Sequence, residues 1–347
     1  THYVRENSKL DKEALERATS VYLVDRVIPM LPEKLSNGVC SLKPNEDRLT
    51  LSVTMEIDPR GKVVDHQIQE TVMRSSERLV YDDVSDILEN DDKDLKEKYK
   101  HLLDVFKNME ELCYILMKKR DNRGSIDFDF PESRIILNEE GKPIDIAKYD
   151  RRISNRIIEE FMLVTNETVA EYMHWTEIPF LYRIHEDPDT DRINEFNNFI
   201  HNFGYHLKGT QDIHPKELQA LIKKVKGSTE ERVINTLALR SLKKARYSAE
   251  IDGHFGLAAD YYSHFTAPIR RYPDLQIHRI IKEFINGKMT DKKISRLEKL
   301  LPQVADISSK MERRADEAER ETDDLKKVEF MADKIGEEYE GVISGVI

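Results

Sequence analysis

Two adjacent arginines, Arg270 and Arg271, are the side chains of this sequence that most directly indicate chemistry. They stand in the segment 253–279, GHFGLAADYYSHFTAPIRRYPDLQIHR, which is rich in aromatic and small residues. A guanidinium group presents a planar set of N–H donors that matches the oxygens of a phosphate. The same pattern also fits surface arginines paired with acids such as Asp274 and Glu283. The segment by itself therefore leaves two interpretations open, an anion site and a solvated ion pair.

The predicted elements around these arginines place them at the start of a helix. The sequence predicts a buried strand over 254–262, a turn at 266–268, and a helix that starts on Pro268 and runs to residue 285. Proline suits the first position of a helix because its missing N–H would have no partner there. The free N–H groups of this helix, together with both arginines, would then point at an anion beyond the strand.

The rest of the sequence has the pattern of an α+β chain built from antiparallel hairpins and separate helices. Period-two segments predict one hairpin from 48–57 and 62–73, and a second over 134–146. Helical patterns cover residues 8–19, 92–119, 151–173, 189–203, 215–225, 230–245 and 291–335. In the last of these, Pro302 is a point at which the helix could break.

The composition is that of a globular and highly charged chain. Of the 347 residues, 39% are hydrophobic and 35% are charged, and the net charge is −11. This balance excludes a protein that coats nucleic acid with its whole surface, but it allows a basic groove inside an acidic body. Cys40 and Cys113 lack CxxC spacing and no apolar run reaches transmembrane length, so we expect a reducing, cytoplasmic setting.

No pattern in the sequence indicates a metal site within the chain. Acidic residues are concentrated at 82–86, 91–94 and 127–129, where a helix surface, a helix N-terminus and an alternating strand explain them better than metal binding does. The histidines show neither HExxH nor HxH spacing. We expect His254, His264 and His278 to be packed or hydrogen-bonded, and His264 is also a candidate for touching a substrate.

Several further segments, taken in order, carry a resemblance to a known family. They are VYLVDRVIPMLP (21–32), RLVYDD (78–83), SIDFDFPESR (125–134), RIIEEF (156–161), PFLYRIHEDPD (179–189), HFTAPIRRYPDL (264–275) and ERRADEAERE (312–321). Together they resemble the catalytic domain of the ribonuclease II / ribonuclease R family of processive 3′→5′ exoribonucleases, with the ribonuclease R branch nearest. The resemblance covers nearly the whole chain.

The resemblance implies an exoribonuclease (RNB) catalytic domain over residues 1–335, shortened at its N-terminal side. Residues 336–347 would be the first strand of a following OB-type RNA-binding domain. The implied activity is hydrolysis of single-stranded RNA to nucleoside 5′-monophosphates with Mg²⁺, whose aspartate ligands the family carries just upstream of the point where this chain begins. A monomer is the family expectation. The alternatives are a non-catalytic RNA-binding module and, from composition alone, an acidic helical interaction protein.

The resemblance also assigns roles to the arginines and to two aromatic residues. Arg270 would contact the scissile phosphate and stabilise the charge that develops there, while Arg271 would contact the RNA backbone or act structurally. Tyr22 and Phe128 match the two aromatic walls that clamp the 3′-terminal base. From the sequence pattern alone, Tyr22 would more often belong to a core.

Three more residues match family positions close to the terminal nucleotides. Tyr81 and Glu159 correspond to residues that discriminate ribose from deoxyribose, since a carboxylate can accept a hydrogen bond from the 2′-OH that DNA lacks. Glu319 corresponds to a glutamate near the terminal nucleotides. On spacing alone, Glu159 fits better as a helix-surface acid paired with Arg152 or Arg156.

Overall fold

The computed structural model describes residues 1–128 and 132–341, and within them the chain forms ten α-helices and four antiparallel strand pairs. The helices are α1 (Lys9–Arg17), α2 (Tyr81–Glu89), α3 (Lys93–Lys98), α4 (Leu103–Arg123), α5 (Ile153–Trp175), α6 (Thr190–His201), α7 (Pro215–Val225), α8 (Glu231–Ser241), α9 (Tyr272–Ile285) and α10 (Asp291–Ala332). The strands are β1 (Val21–Tyr22), β2 (Val27–Ile28), β3 (Asp47–Ile57), β4 (Val63–Arg74), β5 (Glu132–Leu137), β6 (Pro143–Tyr149), β7 (Tyr182–Ile184) and β8 (Arg246–Ser248). The predicted α+β class is confirmed. Residues 342–347 of the strand predicted within 336–347 lie outside the described residues, so an OB-type domain there stays a prediction.

Both predicted hairpins are confirmed, and the local sequence explains each of them. In the β3–β4 hairpin, Val53 pairs with Ile68 and both pack on the main core, which fixes the register of the two strands. The connection between β5 and β6 is closed by Asn138, whose side-chain oxygen accepts hydrogen bonds from the N–H groups of Glu140 and Lys142. An asparagine that binds its own turn in this way is a common turn former.

The hydrophobic core consists mainly of two clusters. The larger cluster joins the C-terminal half of α5, β7, α9 and the first half of α10, and it buries Met173, Ile277 and Leu301 completely. The smaller cluster joins α6, α7 and α8 around Ile193 and Leu218. Burial of apolar side chains is the dominant favourable contribution to folding. Because α5, α9 and α10 share one core, they form the frame that carries the site segments.

Most predicted helices form where their capping residues indicate. Ser8 caps α1 and Asp189 caps α6, each by accepting hydrogen bonds from N–H groups of the first turn. Helix α7 starts on Pro215, as predicted, with a proline where no N–H is needed.

Two helix predictions need correction. The helix predicted over 92–119 is divided into α3 and α4 by a short 3₁₀ turn, beside which buried Tyr99 packs edge-on against Phe106 with ring centroids 6.5 Å apart. In contrast, α10 continues through Pro302. Leu301 and Val304 beside this proline are fully buried, and their packing outweighs the hydrogen bond that proline cannot donate. Helix α10 therefore extends over 42 residues, a length of about 63 Å at 1.5 Å per residue.

The strand predicted over 254–262 is wrong. Phe255–Leu257 form a 3₁₀ turn, and Ala258 follows in the left-handed region with φ of 49°. Gly256 passes so close to His185 that a Cβ atom there would lie 3.0 Å from Nδ1 of the histidine. The regular spacing of apolar residues therefore belongs to a tightly packed loop, whose close approach to His185 the sequence pattern does not reveal.

The helix start predicted at Pro268 is also wrong, because α9 starts at Tyr272. Residues 268–270 form a turn, and Arg271 is the N-cap residue with an extended backbone. Pro273, rather than Pro268, lies in the first turn of the helix. Both arginines therefore precede the helix instead of lying within it.

Candidate active site

The turn that carries Arg270 is held firmly while its guanidinium group is exposed. The carbonyl of Arg270 accepts hydrogen bonds from the N–H of Ser20 at 2.9 Å and from the hydroxyl of Thr19 at 3.3 Å. Thr19 also forms an antiparallel bridge with Arg271. Within residues 1–128 and 132–341, the Arg270 side chain has no hydrogen bond or ion pair. A fixed backbone thus presents a cation that is available to an anionic ligand.

Arg271 has the opposite character, because Asp274 holds its guanidinium group inside the protein. Nη2 of Arg271 donates to Oδ1 of Asp274 at 2.8 Å, and the same oxygen accepts a hydrogen bond from the N–H of Ala267 at 2.7 Å. Asp274 is completely buried, and this burial raises the pKa of its carboxyl group although the Arg271 charge lowers it. The pair closes the turn from Ala267 to Arg271 and thereby positions Arg270.

Tyr22 and Glu319, 297 positions apart in the sequence, meet beside this turn. The N–H of Tyr22 donates to Oε1 of Glu319 at 2.6 Å, which ties β1 to helix α10. The Tyr22 ring is 48% exposed, so it does not belong to the core. Ser20, which binds the Arg270 carbonyl, lies two residues before Tyr22. These two hydrogen bonds therefore bring the chain segments of Arg270, Tyr22 and Glu319 together.

Tyr81 and Glu159 lie on a second group of elements, where α2 packs on α5. The carbonyl of Tyr81 accepts a hydrogen bond from the hydroxyl of Ser154 at 2.8 Å, while the ring is 50% exposed. The Glu159 carboxylate lies 3.6 Å from Nη1 of Arg151. The expected pairing with Arg152 does not form, because that arginine binds acids of α2 instead.

Phe128 lies next to this group at the end of the first described range. Its ring is partly buried against the cluster formed by α6, α7 and α8. The preceding residue, Asp127, accepts a hydrogen bond from Nη2 of Arg151 at 2.6 Å, and Arg151 also faces Glu159. Arg151 thus links the Glu159 carboxylate to Asp127, the residue before Phe128. Asp129, the other acid of the run at 127–129, lies outside the described residues.

Helix α5 connects the Arg270 turn with the elements that carry Tyr81 and Glu159. Asn166 lies seven residues after Glu159, hence on the same face and about 10 Å farther along the axis. Its amide donates to the hydroxyl of Tyr262 at 3.2 Å, and its oxygen accepts a hydrogen bond from the N–H of Phe265 at 2.9 Å. Because Phe265 leads directly into the Arg270 turn, α5 holds the arginine turn in a fixed relation to Glu159.

A groove with a volume of about 1000 Å³ opens beside these elements. It is lined by both strands of the β5–β6 hairpin, by Val24 and Asp25 close to Tyr22, and by Asp82 next to Tyr81. Grooves of this size accommodate small ligands or chain segments. Two of the predicted site residues thus lie next to residues that line one open space.

The described part of the chain contains no group of three His, Cys, Asp or Glu side chains that could hold a metal ion. Several acids in the acidic runs are engaged with cations instead. Asp86 binds Arg152 at 2.7 Å, and Asp91 binds Lys96. Asp92 caps α3 by accepting from two N–H groups.

The expected packing of the histidines around the arginine turn is confirmed. His278 stacks on Phe265 with ring centroids 4.3 Å apart, and its Nε2 is 2.8 Å from the Phe265 carbonyl. Burial lowers the pKa of His278 to about 4 and, with the nearby His185, the pKa of His254 to about 3. These rings are therefore neutral packing groups at neutral pH.

Sequence reasoning missed two residues that build this site. Asp274 was considered only as a surface partner, although its position three residues after Arg271 is a signal for a pair across the first turn of a helix. Asn166 gave no signal, since a single asparagine in a helical stretch does not show that it is buried.

Comparisons with known proteins concern the family and the fold of this chain. The family model of the RNB domain matches residues 1–287. Ribonuclease R 1 of Lactococcus lactis is 51% identical over 347 residues, covering 100% of this chain and 42% of that protein. Ribonuclease R of Thermotoga maritima is 46% identical and is covered to 49%. The solved structure of Mycoplasma genitalium RNase R in complex with ribose methylated single-stranded RNA aligns with a TM-score of 0.93 at 29% identity, covering 100% of this chain and 54% of that chain. The chain spans about half the length of the curated relatives it matches.

Proposed function

Because the chain belongs to the RNB domain family, we propose that it forms the catalytic core of a processive 3′→5′ exoribonuclease, which hydrolyses single-stranded RNA to nucleoside 5′-monophosphates. The observation that carries this proposal is the exposed guanidinium of Arg270 on a rigid turn beside Tyr22 and Glu319. Hydrolysis of a phosphodiester builds up negative charge on the phosphate oxygens, and a fixed cation stabilises that charge. A cation on a mobile loop would lose part of this effect to reorganisation.

We propose that Tyr22 and Phe128 stack on the 3′-terminal base and that Tyr81 and Glu159 read its ribose. A half-exposed tyrosine ring whose backbone is tied to Glu319 is a suitable platform for a base. The Glu159 carboxylate can accept a hydrogen bond from a 2′-OH, since its nearest cation, Arg151, lies 3.6 Å away and is shared with Asp127. The groove beside Tyr22 and Tyr81 gives an RNA end room to enter.

The family is metal-dependent, and we propose that the ion is Mg²⁺. Two divalent ions would activate the attacking water and stabilise the leaving oxygen. The described residues do not fit such a site, because they contain no group of three suitable ligands. We therefore assign no metal ligand within them and propose that the ligands are supplied mostly from outside residues 1–347.

We propose that the protein acts as a monomer in the cytoplasm. Cys40 and Cys113 are both free thiols, which suits a reducing compartment. No helix within the described residues is long and apolar enough to cross a membrane.

The proposed activity is tested with the protein that carries this chain and with residues 1–347 alone. A uniformly labelled single-stranded oligoribonucleotide is incubated with Mg²⁺, and the released nucleoside monophosphates are measured. We expect monophosphates from the first protein and almost none from the second. Equal activity of both would contradict the proposal that the metal ligands lie outside this chain.

The role of Arg270 is tested in the same assay. Arg270→Ala should lower kcat by about 100-fold or more, which is typical for loss of a group that stabilises transition-state charge, while affinity for RNA changes much less. Arg270→Lys should restore only part of the rate, because a lysine cannot form the paired hydrogen bonds of a guanidinium. Arg232→Ala, at an exposed position on α8, is the matched control. A loss confined to RNA affinity would remove Arg270 from the chemical step.

A non-catalytic RNA-binding module is the second candidate, and the absence of a metal-binding group among the described residues favours it. RNA binding without release of monophosphates by the complete protein, at any divalent ion tested, would select this alternative.

A further inference from the structure

His264 lies in a segment without regular secondary structure, residues 262–265, that leads into the Arg270 turn. Hydrogen bonds hold this segment on both sides: Arg183 N–H to Tyr262 O at 2.9 Å, Ser263 Oγ to Leu181 O at 2.7 Å, and Phe265 N–H to Asn166 Oδ1 at 2.9 Å. The backbone of His264 therefore has little freedom, and the direction of its ring is set by the residues that surround it.

Tyr247 fixes the His264 ring. The Tyr247 hydroxyl is 2.8 Å from Nδ1 of His264, and the tyrosine is only 4% exposed. The N–H of Tyr247 donates to the hydroxyl of Ser309 at 2.9 Å. The guanidinium of Arg183 lies 4.8 Å above the tyrosine ring and also binds Glu312 of α10 at 2.5 Å. Two contacts thus hold the tyrosine ring, and a third holds its backbone.

This arrangement selects one form of the imidazole. Burial raises the pKa of the Tyr247 hydroxyl, which therefore keeps its proton. Within the described residues, Nδ1 of His264 is the acceptor available to that proton, so the hydroxyl donates and Nδ1 accepts. Burial, with the charges of Arg271 and Arg183, lowers the pKa of His264 well below its usual range. The ring is then neutral, and its remaining proton lies on Nε2.

Nε2 of His264 is directed away from this network. It has no hydrogen-bond partner within residues 1–128 and 132–341, and it is not among the buried polar atoms that lack a partner, in contrast to Nε2 of His185. The histidine as a whole is only partly buried, and this nitrogen therefore keeps some accessible surface. His264 lies six residues before Arg270, on the segment that Asn166 and Asp274 fix through the N–H groups of Phe265 and Ala267.

We propose that His264 is a substrate-contacting residue whose Nε2–H donates a hydrogen bond to a phosphate oxygen of the RNA next to Arg270, with Tyr247 as its positioning residue. The inference rests on the proposed function, and it adds the neutral N–H of His264 to the charged guanidinium of Arg270 as a hydrogen-bond donor. A neutral N–H that is fixed in advance binds an anion without having to take up a proton. The alternative is a purely structural histidine whose role ends at the bond to Tyr247.

Two substitutions distinguish a phosphate contact through Nε2 from a purely structural bond through Nδ1, because each replaces the function of one ring nitrogen. His264→Gln places an amide N–H near the position of Nε2, and His264→Asn places its amide near Nδ1, facing Tyr247. If His264 binds phosphate, the glutamine variant should keep most of kcat/KM, and the asparagine variant should lose about ten- to a hundredfold, the range for a hydrogen bond to a charged group. If the role of His264 is purely structural, the asparagine variant should keep a higher kcat/KM than the glutamine variant.

Tyr247→Phe provides an independent test at the positioning residue. Without the hydroxyl, Nδ1 can carry the ring proton, so fewer molecules present a donor at Nε2. We expect a loss in kcat/KM smaller than that of His264→Asn, and a double variant no worse than His264→Asn alone. Additive losses in the double variant would overturn the positioning role.

The same variants are compared for binding of a fluorescent oligoribonucleotide in EDTA, where no hydrolysis occurs. This readout tests the phosphate contact even if the complete protein does not cleave RNA, so failure of the inference and failure of the proposed activity are distinguishable. Weaker binding by His264→Asn than by His264→Gln supports the contact. Equal binding by both variants, or weaker binding by His264→Gln, overturns it. Thermal unfolding of each variant shows whether a loss comes from misfolding.

Discussion

Replacement of Asp274 by asparagine tests whether the Asp274–Arg271 ion pair stabilises the turn that carries Arg270. In the native protein, one carboxylate oxygen accepts from both Arg271 and the N–H of Ala267, and the Arg271 side chain is only 15% exposed. Asparagine keeps an oxygen for the Ala267 N–H but removes the negative charge. A largely buried guanidinium then has no counter-charge, and breaking such a pair costs about 3–5 kcal/mol. We therefore expect Asp274→Asn to lower the free energy of unfolding by a few kcal/mol.

The free energies of unfolding are measured by urea denaturation followed by circular dichroism, with a double-mutant cycle over Asp274 and Arg271. Arg271→Met removes the cation, and the double variant Arg271→Met/Asp274→Asn leaves no unpaired charge. We expect the double variant to be more stable than the sum of the single losses predicts, by about 2 kcal/mol or more. A coupling energy below about 0.5 kcal/mol would show that the two groups contribute independently. The ion pair would then not stabilise the arginine turn.

Two further predictions concern the base platform and the buried histidines. Tyr22→Ala should lengthen the final RNA product on a denaturing gel, since stacking contributes about 1–3 kcal/mol per base; an unchanged product, or the same change in the control Tyr114→Ala, contradicts the platform. His278 has a pKa lowered to about 4, so the unfolded chain binds a proton below about pH 6.5 that the folded chain does not. The contribution of His278 to stability should therefore be constant above that pH and fall by up to about 1.4 kcal/mol per unit between pH 6.5 and 4. In His278→Gln, the free energy of unfolding should fall less steeply with decreasing pH. An equal slope in the variant and the native protein would exclude His278 as a cause.

The elements that the sequence predicted correctly depend on local interactions. The two hairpins follow from alternating residues and from Asn138, and the ends of α1 and α6 follow from Ser8 and Asp189. In each case the residues that determine the element are within a few positions of it. A pattern along the chain is sufficient where the stabilising contacts are close in sequence.

The errors occurred where distant contacts decide the conformation. The loop after Gly253 has the spacing of a strand, but its backbone bends around His185, 71 positions before Gly256. The start of α9 is set by a carboxylate that binds back to Ala267, which competes with the helix signal of Pro268. For the same reason the meeting of Tyr22 with α10 was not predictable from local pattern. Only the resemblance to a family implied that Tyr22 and Glu319 act near the same terminal nucleotides.

The adjacent arginines show how an acidic chain produces a local site for an anion. The net charge is −11, and Arg151, Arg152 and Arg271 all bind carboxylates. Within the described residues, Arg270 binds none, because its neighbour Arg271 takes up Asp274 and the turn directs Arg270 outward. A phosphate at this position therefore meets a cation whose charge no nearby acid cancels. Local geometry, and not the total charge, determines where an anion can bind.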